Sequence, residues 1–327
     1  MKLKMGVIGT GMAWERLHWP ALKELSDKYE VVAVCNKTIE KAQAFARQVN
    51  LPEDSVYSDY RQMLERTDLD VVDVLVPISE NFEVAKDVLL AGKNLIAEKP
   101  LSATLEGARE LIKLKNEKSV KMMVAENLRY EECSKIIKEV ITSGAIGEVA
   151  YFIYDMGADF EKEMLGNTFG AKEWRQHPDF EGGIFLDGGV HDAAMMRFLF
   201  GDADEIKAFG TMHNKEYCPY RNINALIRFG SGVIGEYSYY SSGAELQKPP
   251  VGLRIFGTEG DIYLESKDCG KVSVNYKNGQ SEQKQFTQGK GYYNELLNYH
   301  EGNIASTPEK ELGDMELIFK ILKALKH

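Results

Sequence analysis

Two short stretches of the sequence carry side chains of the kinds that proton transfer and charge stabilisation require. In NLIAEKPLS, an apolar run passes directly into Glu98 and Lys99, and in DGGVHD, Asp187 stands four residues before His191. Imidazole exchanges protons near neutral pH, a fixed ammonium stabilises negative charge on an oxygen, and a carboxylate orients either partner. Lys99, His191 and Asp187 are therefore the first candidates for catalysis.

Each of these side chains also has a structural explanation. Lys99 would suit a solvated strand end, and Asp187 would suit the N-cap of a helix. The run VHDAAMMRFLF predicts a helix starting near Val190, with His191 in its first turn as a capping or core histidine. The residues alone leave both explanations open.

The first third of the chain predicts the elements that would position Lys99. Short apolar runs alternate with stretches of helical spacing at about 14–28, 39–49, 81–91 and 105–117. The strand-like runs are LKMGVIG, YEVVAVCN, VVDVLVP, NLIAEKP and KMMVA. This alternation predicts an α/β domain with a doubly wound parallel sheet. Ligands bind beyond the carboxyl ends of such strands, so Lys99 would leave its strand on the ligand side.

A glycine turn follows the first strand in GVIGTGMAW. Gly9 and Gly11 between a strand and a helix favour a dinucleotide site over a plain turn, with contacts from Gly9, Thr10, Gly11, Met12 and Ala13. Trp14 occupies the place of the usual third glycine. We therefore expect either that the first helix sits differently or that the indole turns outward.

The end of the second strand bears on the choice of dinucleotide. Asn36, Lys37 and Thr38 stand where a ribose-binding acid is usual. Without that carboxylate a 2′-phosphate is not repelled, and lysine and a hydroxyl can bind it. We predict NADP(H) in preference to NAD(H), although the amide of Asn36 can also bond a bare ribose.

Composition limits the class of protein. The 327 residues carry a net charge of −10, which argues against nucleic acid or an anionic membrane as the main partner. The four cysteines are scattered without metal-ligand spacing, which predicts reduced thiols, a cytoplasmic protein and no metal site. The start MKLKMGVIG is too short in apolar length for a signal peptide, and no run approaches a membrane span.

Motifs along nearly the whole chain resemble the Gfo/Idh/MocA family of sugar and cyclitol oxidoreductases. The motifs are GVIGTG with HWPAL, DVVDVLVP, AGKNLIAEKPLS, WRQHP, GGIFLDGGVHD and GYYNELLNYHEG. The resemblance implies a dinucleotide-binding Rossmann domain at 1–126. It further implies an α/β domain at 127–327 for substrate binding and oligomerisation, with an open, mostly antiparallel sheet.

The second half of the chain supports that architecture independently. NINALIRFG, GVIGEYSYY, VGLRIFG and DIYLES are closely spaced strand-like runs with short turns. In the first run, Ile223, Ala225, Ile227 and Phe229 would share one face. Family members often associate through the other face of this sheet, so we expect a homodimer or homotetramer.

The resemblance also implies roles for the candidate catalytic residues. His191 would be the acid/base, Lys99 the cation that polarises the reacting oxygen, and Asp187 the orienting acid. The reaction implied is hydride transfer between a nicotinamide and a secondary alcohol or ketone of a sugar, sugar derivative or cyclitol. A cis Lys99–Pro100 peptide bond is a further expectation from the family.

Further contacts are implied around this set. Pro77 and Glu98 would join the cofactor contacts, and Asn127 and Arg129 match family positions near the substrate cleft. Trp174 and Arg175 would present a flat face and a donor fork to a polyol, beside Asp187 and His191. Each of these four also has a structural explanation at a domain junction. We treat His18, His177, His213 and His300 as structural or surface residues.

One departure from the family lies after the fourth strand. PISENF places Ile78 and Asn81 where the family often has asparagine and histidine, so contacts near the nicotinamide must differ. Two rival functions remain, namely glycoside cleavage through transient oxidation by a retained nicotinamide, and non-catalytic regulation by dinucleotide binding. Retention of Lys99, Asp187 and His191 together argues against the regulator.

Overall fold

A computed structural model of the chain describes residues 1–213, 215–241 and 251–326. The chain divides into two compact units, the first made of Met1–Asn127 with Tyr292–Leu312. The second is made of Leu128–Gly291 and the chain from Gly313 onward. The segment Tyr292–Leu312 thus lies in the first unit, whereas the division at residues 126 and 127 assigned it to the second domain.

The first unit contains a six-stranded sheet in the order β3-β2-β1-β4-β5-β6, and its paired strands are parallel. Its strands are β1 (Leu3–Ile8), β2 (Tyr29–Cys35), β3 (Val56–Tyr57), β4 (Val71–Val74), β5 (Asn94–Glu98) and β6 (Met122–Ala125). This is the strand order of a dinucleotide-binding α/β sheet and confirms the predicted fold class. The two-residue strand β3 was not predicted, since it is too short to show a pattern.

Helices alternate with these strands. They are α1 (Trp19–Glu24), α2 (Ile39–Val49), α3 (Tyr60–Leu64), α4 (Ile78–Leu90) and α5 (Leu105–Lys118). A π-helical segment, Trp14–His18, precedes α1, and short 3-10 turns lie at Glu53–Ser55 and Asn127–Arg129. Near the end of the chain, α10 (Gly291–Glu301) and α11 (Pro308–Ala324) follow, and the boundary between the units falls within α11.

The strand register sets up a common edge for the ligand-binding residues. Ile8 is level with Cys35 and Val74, and Val74 is level with Ala97. Because the strands are parallel, the residues that follow each of them meet at one edge of the sheet. Gly9, Asn36 and Glu98 therefore belong to one row at the carboxyl ends.

The second unit contains an eight-stranded mixed sheet in the order β14-β13-β12-β11-β7-β10-β9-β8. The strands are β7 (Val149–Gly157), β8 (Ala203–Met212), β9 (Tyr220–Phe229), β10 (Ile234–Tyr240), β11 (Gly252–Gly257), β12 (Gly260–Leu264), β13 (Lys271–Tyr276) and β14 (Ser281–Gln285). Only the pairing of β7 with β10 is parallel among these described strands. The open, mostly antiparallel sheet is thus confirmed.

One face of this sheet forms the core of the second unit. The helices of the unit are α6 (Glu132–Thr142), α7 (Phe160–Met164), α8 (Glu173–Gln176) and α9 (Ile184–Phe200). The α9 helix packs on the sheet, where Phe200 stacks on Phe152 at 4.7 Å between ring centroids. Ile223, Ala225, Ile227 and Phe229 are all buried on the inner face, as predicted from their spacing.

The opposite face of the sheet leaves large apolar side chains exposed. Phe209 is 82% exposed, Leu226 55% and Tyr151 46%. The described helices include none that is both long and apolar enough to cross a bilayer.

Candidate active site

The glycine turn after β1 has the geometry that a phosphate cradle needs. Gly9 adopts φ +99°, and a Cβ there would overlap the carbonyl oxygen of Leu75, so only glycine fits. At Gly11, by contrast, a Cβ would meet nothing within 4 Å. Thr10 and Met12 are buried and Ala13 is partly exposed. The turn therefore has open space beside its second glycine, where a ligand can approach the backbone.

Trp14 is accommodated by a change in the helix. The segment Trp14–His18 is π-helical, and the indole is fully buried rather than turned outward. It stacks on Trp19 at 5.7 Å and meets Phe45 edge-on at 5.0 Å. The wider π turn makes room for the bulky ring. Of the two expectations for Trp14, an altered first helix is therefore confirmed and an outward indole is not.

The end of β2 is tied to the glycine turn. The Asn36 amide donates to the Thr10 hydroxyl at 3.0 Å, and the Thr38 backbone N–H donates to Asn36 Oδ1 at 2.9 Å. The Lys37 side chain is 75% exposed and pairs with Glu80 at 2.7 Å. An exposed pair of this kind contributes little stability, so Lys37 can exchange Glu80 for a stronger anion.

Lys99 leaves β5 at the carboxyl edge of the parallel sheet. The Lys99–Pro100 peptide bond is cis, as expected from the family. Asn81 lies beside it, and its amide donates to the carbonyls of Glu98 at 2.7 Å and Pro100 at 2.9 Å. Asn81, noted in the sequence only as a departure, thus holds the backbone on both sides of Lys99. Pro77 precedes the first residue of α4, the helix that carries Asn81.

A buried polar cluster underlies the end of β5. His18 is fully buried, with Nδ1 2.8 Å from Asp73 Oδ2 and Nε2 3.1 Å from Glu98 Oε1. Glu98 also accepts the Lys99 backbone N–H at 3.2 Å. Glu98 is thus a local hydrogen-bond and ion-pair partner at the end of β5. The expectation that His18 could be a surface residue is wrong, because its side chain is fully buried.

The cluster has altered proton affinities. Burial by itself lowers the pKa of His18, but the carboxylates of Asp73 and Glu98 outweigh it and raise that pKa well above 6.5. Glu295 of α10 is fully buried, and burial raises its pKa well above 4.5. A lone acid in an apolar strand, such as Asp73 in VVDV, was the available signal in the sequence for this cluster.

Asp187 and His191 both lie on α9. The helix begins at Ile184, six residues earlier than predicted, because Gly183 at φ +52° ends the preceding turn. Asp187 is therefore in the first turn of α9, with His191 one turn later. Residues four apart on a helix share a face, so the two side chains are neighbours.

Arg175 is held by Asp187. Its Nε donates to Asp187 Oδ2 at 2.5 Å, and its guanidinium lies 4.1 Å from the Trp174 ring centroid. Trp174 and Arg175 are both part of the short helix α8 and are half-buried. The structure thus brings together four sequence-predicted residues of the second unit, namely Trp174, Arg175, Asp187 and His191.

Asp192, which the sequence reasoning did not single out, fastens α9 to the sheet. It is buried and accepts hydrogen bonds from Tyr154 at 3.1 Å and Tyr237 at 2.7 Å. Burial and the neighbouring carboxylate raise the pKa of Tyr237 well above 10. Asp192 thus fixes the rotation of the helix that carries His191.

Arg129 and Asn127 are both buried. Arg129 Nη2 donates to both carboxylate oxygens of Asp314, at 2.7 and 2.5 Å, and Arg197 pairs with the same acid. This ion pair corresponds to the structural explanation for Arg129.

Within the described ranges, no group of three or more histidine, cysteine or acidic side chains is arranged to hold a metal ion.

Family models match both halves of the chain. The model described as the oxidoreductase family with an NAD-binding Rossmann fold matches residues 3–126. The model described as the GFO/IDH/MocA C-terminal domain matches residues 135–263. Together they match more than half of the chain.

Similar proteins extend over most of the sequence. An uncharacterized protein of Saccharomyces cerevisiae is 30% identical over 91% of this chain and 87% of its own. A 1,5-anhydro-D-fructose reductase of Ensifer adhaerens is 26% identical over 77% of this chain and 74% of its own. The crystal structure of an oxidoreductase of Thermotoga maritima superposes with a TM-score of 0.88 and 29% identity, covering 99% of this chain and 97% of that one.

Proposed function

The chain belongs to the Gfo/Idh/MocA family of NAD(P)-dependent oxidoreductases, and we propose that it acts on a sugar, sugar derivative or cyclitol. In this proposal it transfers a hydride between nicotinamide and a secondary alcohol or ketone. The observation that carries the proposal is the shared edge of the parallel sheet. There the glycine turn and the lysine-bearing end of β5 belong to one row of residues.

The residues of the first unit fit a dinucleotide. Open space beside Gly11 and the backbone geometry of Gly9 suit a pyrophosphate, which the adjoining helix N-terminus would favour electrostatically. Thr10, Met12, Ala13 and Pro77 are the further residues assigned to cofactor contacts. When bound, the nicotinamide supplies the hydride acceptor or donor of the reaction.

The chain's own residues would handle the proton and the charge. In the oxidation direction, His191 accepts the proton of the substrate hydroxyl while the carbon–hydrogen bond breaks. The ammonium of Lys99 stabilises the negative charge that builds on that oxygen. In reduction, His191 returns the proton to the carbonyl oxygen.

Asp187 and Arg175 would orient this chemistry rather than perform it. Their 2.5 Å contact fixes the carboxylate on the face of α9 that also carries His191. The remaining donors of Arg175 and the face of Trp174 suit a polyhydroxylated ring. Asn127 and Arg129 are the further residues assigned to substrate contacts, and Asp314 holds the guanidinium of Arg129.

Support for the substrate class comes from the relatives. One of them is a reductase of 1,5-anhydro-D-fructose, which is a ketone of the sugar class. The hydrogen-bond donors of Arg175 and the carboxylate acceptors of Asp187 agree with a substrate that carries several hydroxyl groups. We propose NADP(H) as the preferred cofactor on the strength of Asn36, Lys37 and Thr38, with NAD(H) as the alternative.

We also propose that the exposed face of the eight-stranded sheet binds a second copy of the chain. Phe209, Leu226 and Tyr151 lie on that face, and Tyr151 stacks on Phe256 at 4.4 Å. Exposed apolar side chains on one face commonly mark an interface.

The cytoplasm is the compartment proposed, on the basis of four cysteines that form no disulfide.

A spectrophotometric screen tests the function. Sugars, sugar derivatives, cyclitols and their ketones would be supplied with NADP(H) or NAD(H), and net change in reduced nicotinamide would be followed. We expect turnover with at least one such substrate, and loss of turnover in Lys99→Met. Tight retention of nicotinamide without net turnover, together with glycoside cleavage, would contradict the proposal.

A further inference from the structure

We propose that His18 is a positioning residue for the reaction, acting as a buried imidazolium that fixes the end of β5 from which Lys99 projects. The inference rests on the proposed role of Lys99 and extends it to a residue of the helical segment after the glycine turn. His18 does not contact the reacting atoms in this proposal. It acts through Glu98.

The contacts of His18 indicate its charge. Nδ1 lies 2.8 Å from Asp73 on β4, and Nε2 lies 3.1 Å from Glu98 at the end of β5. Ionised carboxylate oxygens only accept hydrogen bonds, so each ring nitrogen must donate. Both nitrogens donate only in the imidazolium form. The ring therefore links two strands through two charge-assisted hydrogen bonds.

Other groups face the ring from a third element. Tyr292 of α10 lies 5.7 Å from the imidazole between ring centroids, and Glu295 of the same helix is fully buried. Both carboxyl oxygens of Glu295 lack a hydrogen-bond partner among the described residues. Burial raises the pKa of Glu295 and disfavours its charged form, and the carboxylates in direct contact with His18 are those of Asp73 and Glu98.

Glu98 transmits the position of His18 to Lys99. One carboxylate oxygen of Glu98 binds the imidazole, and the other accepts the backbone N–H of Lys99 at 3.2 Å. Asn81 holds the flanking carbonyls of Glu98 and Pro100. Asn81 thus holds the carbonyls of the residues before and after Lys99, and the Glu98–His18 pair holds the Lys99 backbone N–H.

His18 also links this site to the dinucleotide turn. It is the last residue of the π-helical segment Trp14–His18, whose first turn is anchored by Glu15 N–H donating to the Gly11 carbonyl at 2.9 Å. Removing the imidazolium would leave the buried carboxylate of Asp73 without its counter-charge and would remove the hydrogen bond that the ring makes to Glu98. The end of β5 would then move, and a displacement of about 1 Å at a reacting group can reduce a rate roughly 100-fold.

The test compares His18→Gln with His300→Gln. His300 is a partly exposed histidine of the same unit that contacts the Met1 carbonyl and the Tyr29 ring, so the control makes the same chemical change outside the cluster. Rates are expressed per folded molecule that binds dinucleotide. We expect His18→Gln to lower kcat about 10- to 100-fold while the dinucleotide Kd changes less than about threefold, and His300→Gln to change neither.

Two further measurements keep the proposal testable if the variant folds poorly or if Lys99 has another role. The first is the NMR shift of the His18 ring nitrogens in the unaltered protein at pH about 8, above the usual histidine pKa of about 6.5. The second is the rate at which an amine-reactive reagent modifies Lys99, read by peptide mass spectrometry, with exposed Lys113 as the internal control.

The outcomes separate the two proposals. A doubly protonated His18 ring, and a Lys99 modification rate that changes in His18→Gln while that of Lys113 does not, support positioning. A neutral ring at pH about 8 would overturn it, as would an unchanged Lys99 modification rate. If Lys99→Met keeps full activity, the proposed function fails. The NMR shift of the His18 ring and the modification rate of Lys99 in the unaltered protein and in His18→Gln still test the positioning role.

Discussion

His191 and Lys99 are the residues whose replacement bears most directly on the proposed reaction. Replacing His191 with alanine should lower kcat by about 10²–10⁴, because proton transfer by a positioned side chain contributes a factor of that size. The pH dependence of kcat/KM near neutrality should disappear as well. Steady-state kinetics across pH would measure both effects.

The control for this prediction is His177→Ala. His177 is an exposed histidine of the second unit that pairs with Glu216 at its surface. Its removal should leave the kinetics unchanged. A loss below tenfold in His191→Ala, with the pH profile preserved, would assign the proton to another group.

Cofactor choice is also decided at single residues. Replacing Lys37 with alanine should weaken NADP(H) binding by roughly tenfold, about 1.4 kcal/mol, and leave NAD(H) binding nearly unchanged, because only the former carries a 2′-phosphate. Lys113→Ala, which removes an exposed lysine paired with Glu117, is the matched control. Calorimetric titration with both dinucleotides would check this. Tighter binding of NAD(H) by the unaltered protein would reject the preference.

The buried cluster predicts a dependence of stability on pH. The folded pKa of His18 is raised, so its stabilisation is complete below pH about 6.5 and is lost as pH rises through the folded pKa. Within that window the folded protein binds more protons than the unfolded chain, and stability falls with rising pH by up to about 1.4 kcal/mol per unit. Glu295, whose folded pKa is also raised, adds a decline that begins near pH 4.5.

Urea unfolding at several pH values would measure this dependence. The difference in unfolding free energy between the unaltered protein and His18→Gln should be largest near pH 6 and should shrink toward pH 9. A difference that stays constant with pH would mean that His18 is not protonated in the folded state.

Among the elements, the glycine turn offers a matched pair of substitutions. Gly9→Ala should destabilise the first unit, since it forces a side chain into φ +99° and against the Leu75 carbonyl. Gly11→Ala should fold normally, because its Cβ would meet nothing within 4 Å. We expect Gly11→Ala to lose dinucleotide affinity by roughly tenfold or more, since the methyl group fills the ligand's space.

Thermal unfolding and calorimetric titration would distinguish the two variants. The prediction for the turn fails if Gly11→Ala binds dinucleotide as tightly as the unaltered protein does. It also fails if Gly9→Ala unfolds at the same temperature as the unaltered protein.

At the level of helices, Trp14 shows how the first helix accommodates a bulky residue in place of the usual third glycine. The sequence indicated that the indole could not replace a glycine without a change in helix or ring. The structure has a π-helical segment that buries the ring against Trp19 and Phe45. Trp19 belongs to α1 and Phe45 to α2, and the glycine motif includes neither residue.

At the scale of the whole molecule, the exposed sheet face predicts association. Phe209→Ser with Leu226→Ser should shift the protein toward monomer in light scattering, because apolar area would no longer be buried between copies. Leu165→Ser is the matched control, since Leu165 is 89% exposed but lies outside the sheet. A protein that is monomeric before any substitution would refute the interface.

The sequence by itself determined the two kinds of sheet, the glycine turn and the strand end that carries Lys99. These follow from hydrophobic period and motif spacing, which are local properties of the chain. Only the tertiary structure decided that His18, Asp73 and Glu98 meet, that Arg129 pairs with Asp314, and that residues 292–312 join the first unit. Such partners are far apart in sequence, and a buried charge is explained only by the groups that folding brings to it.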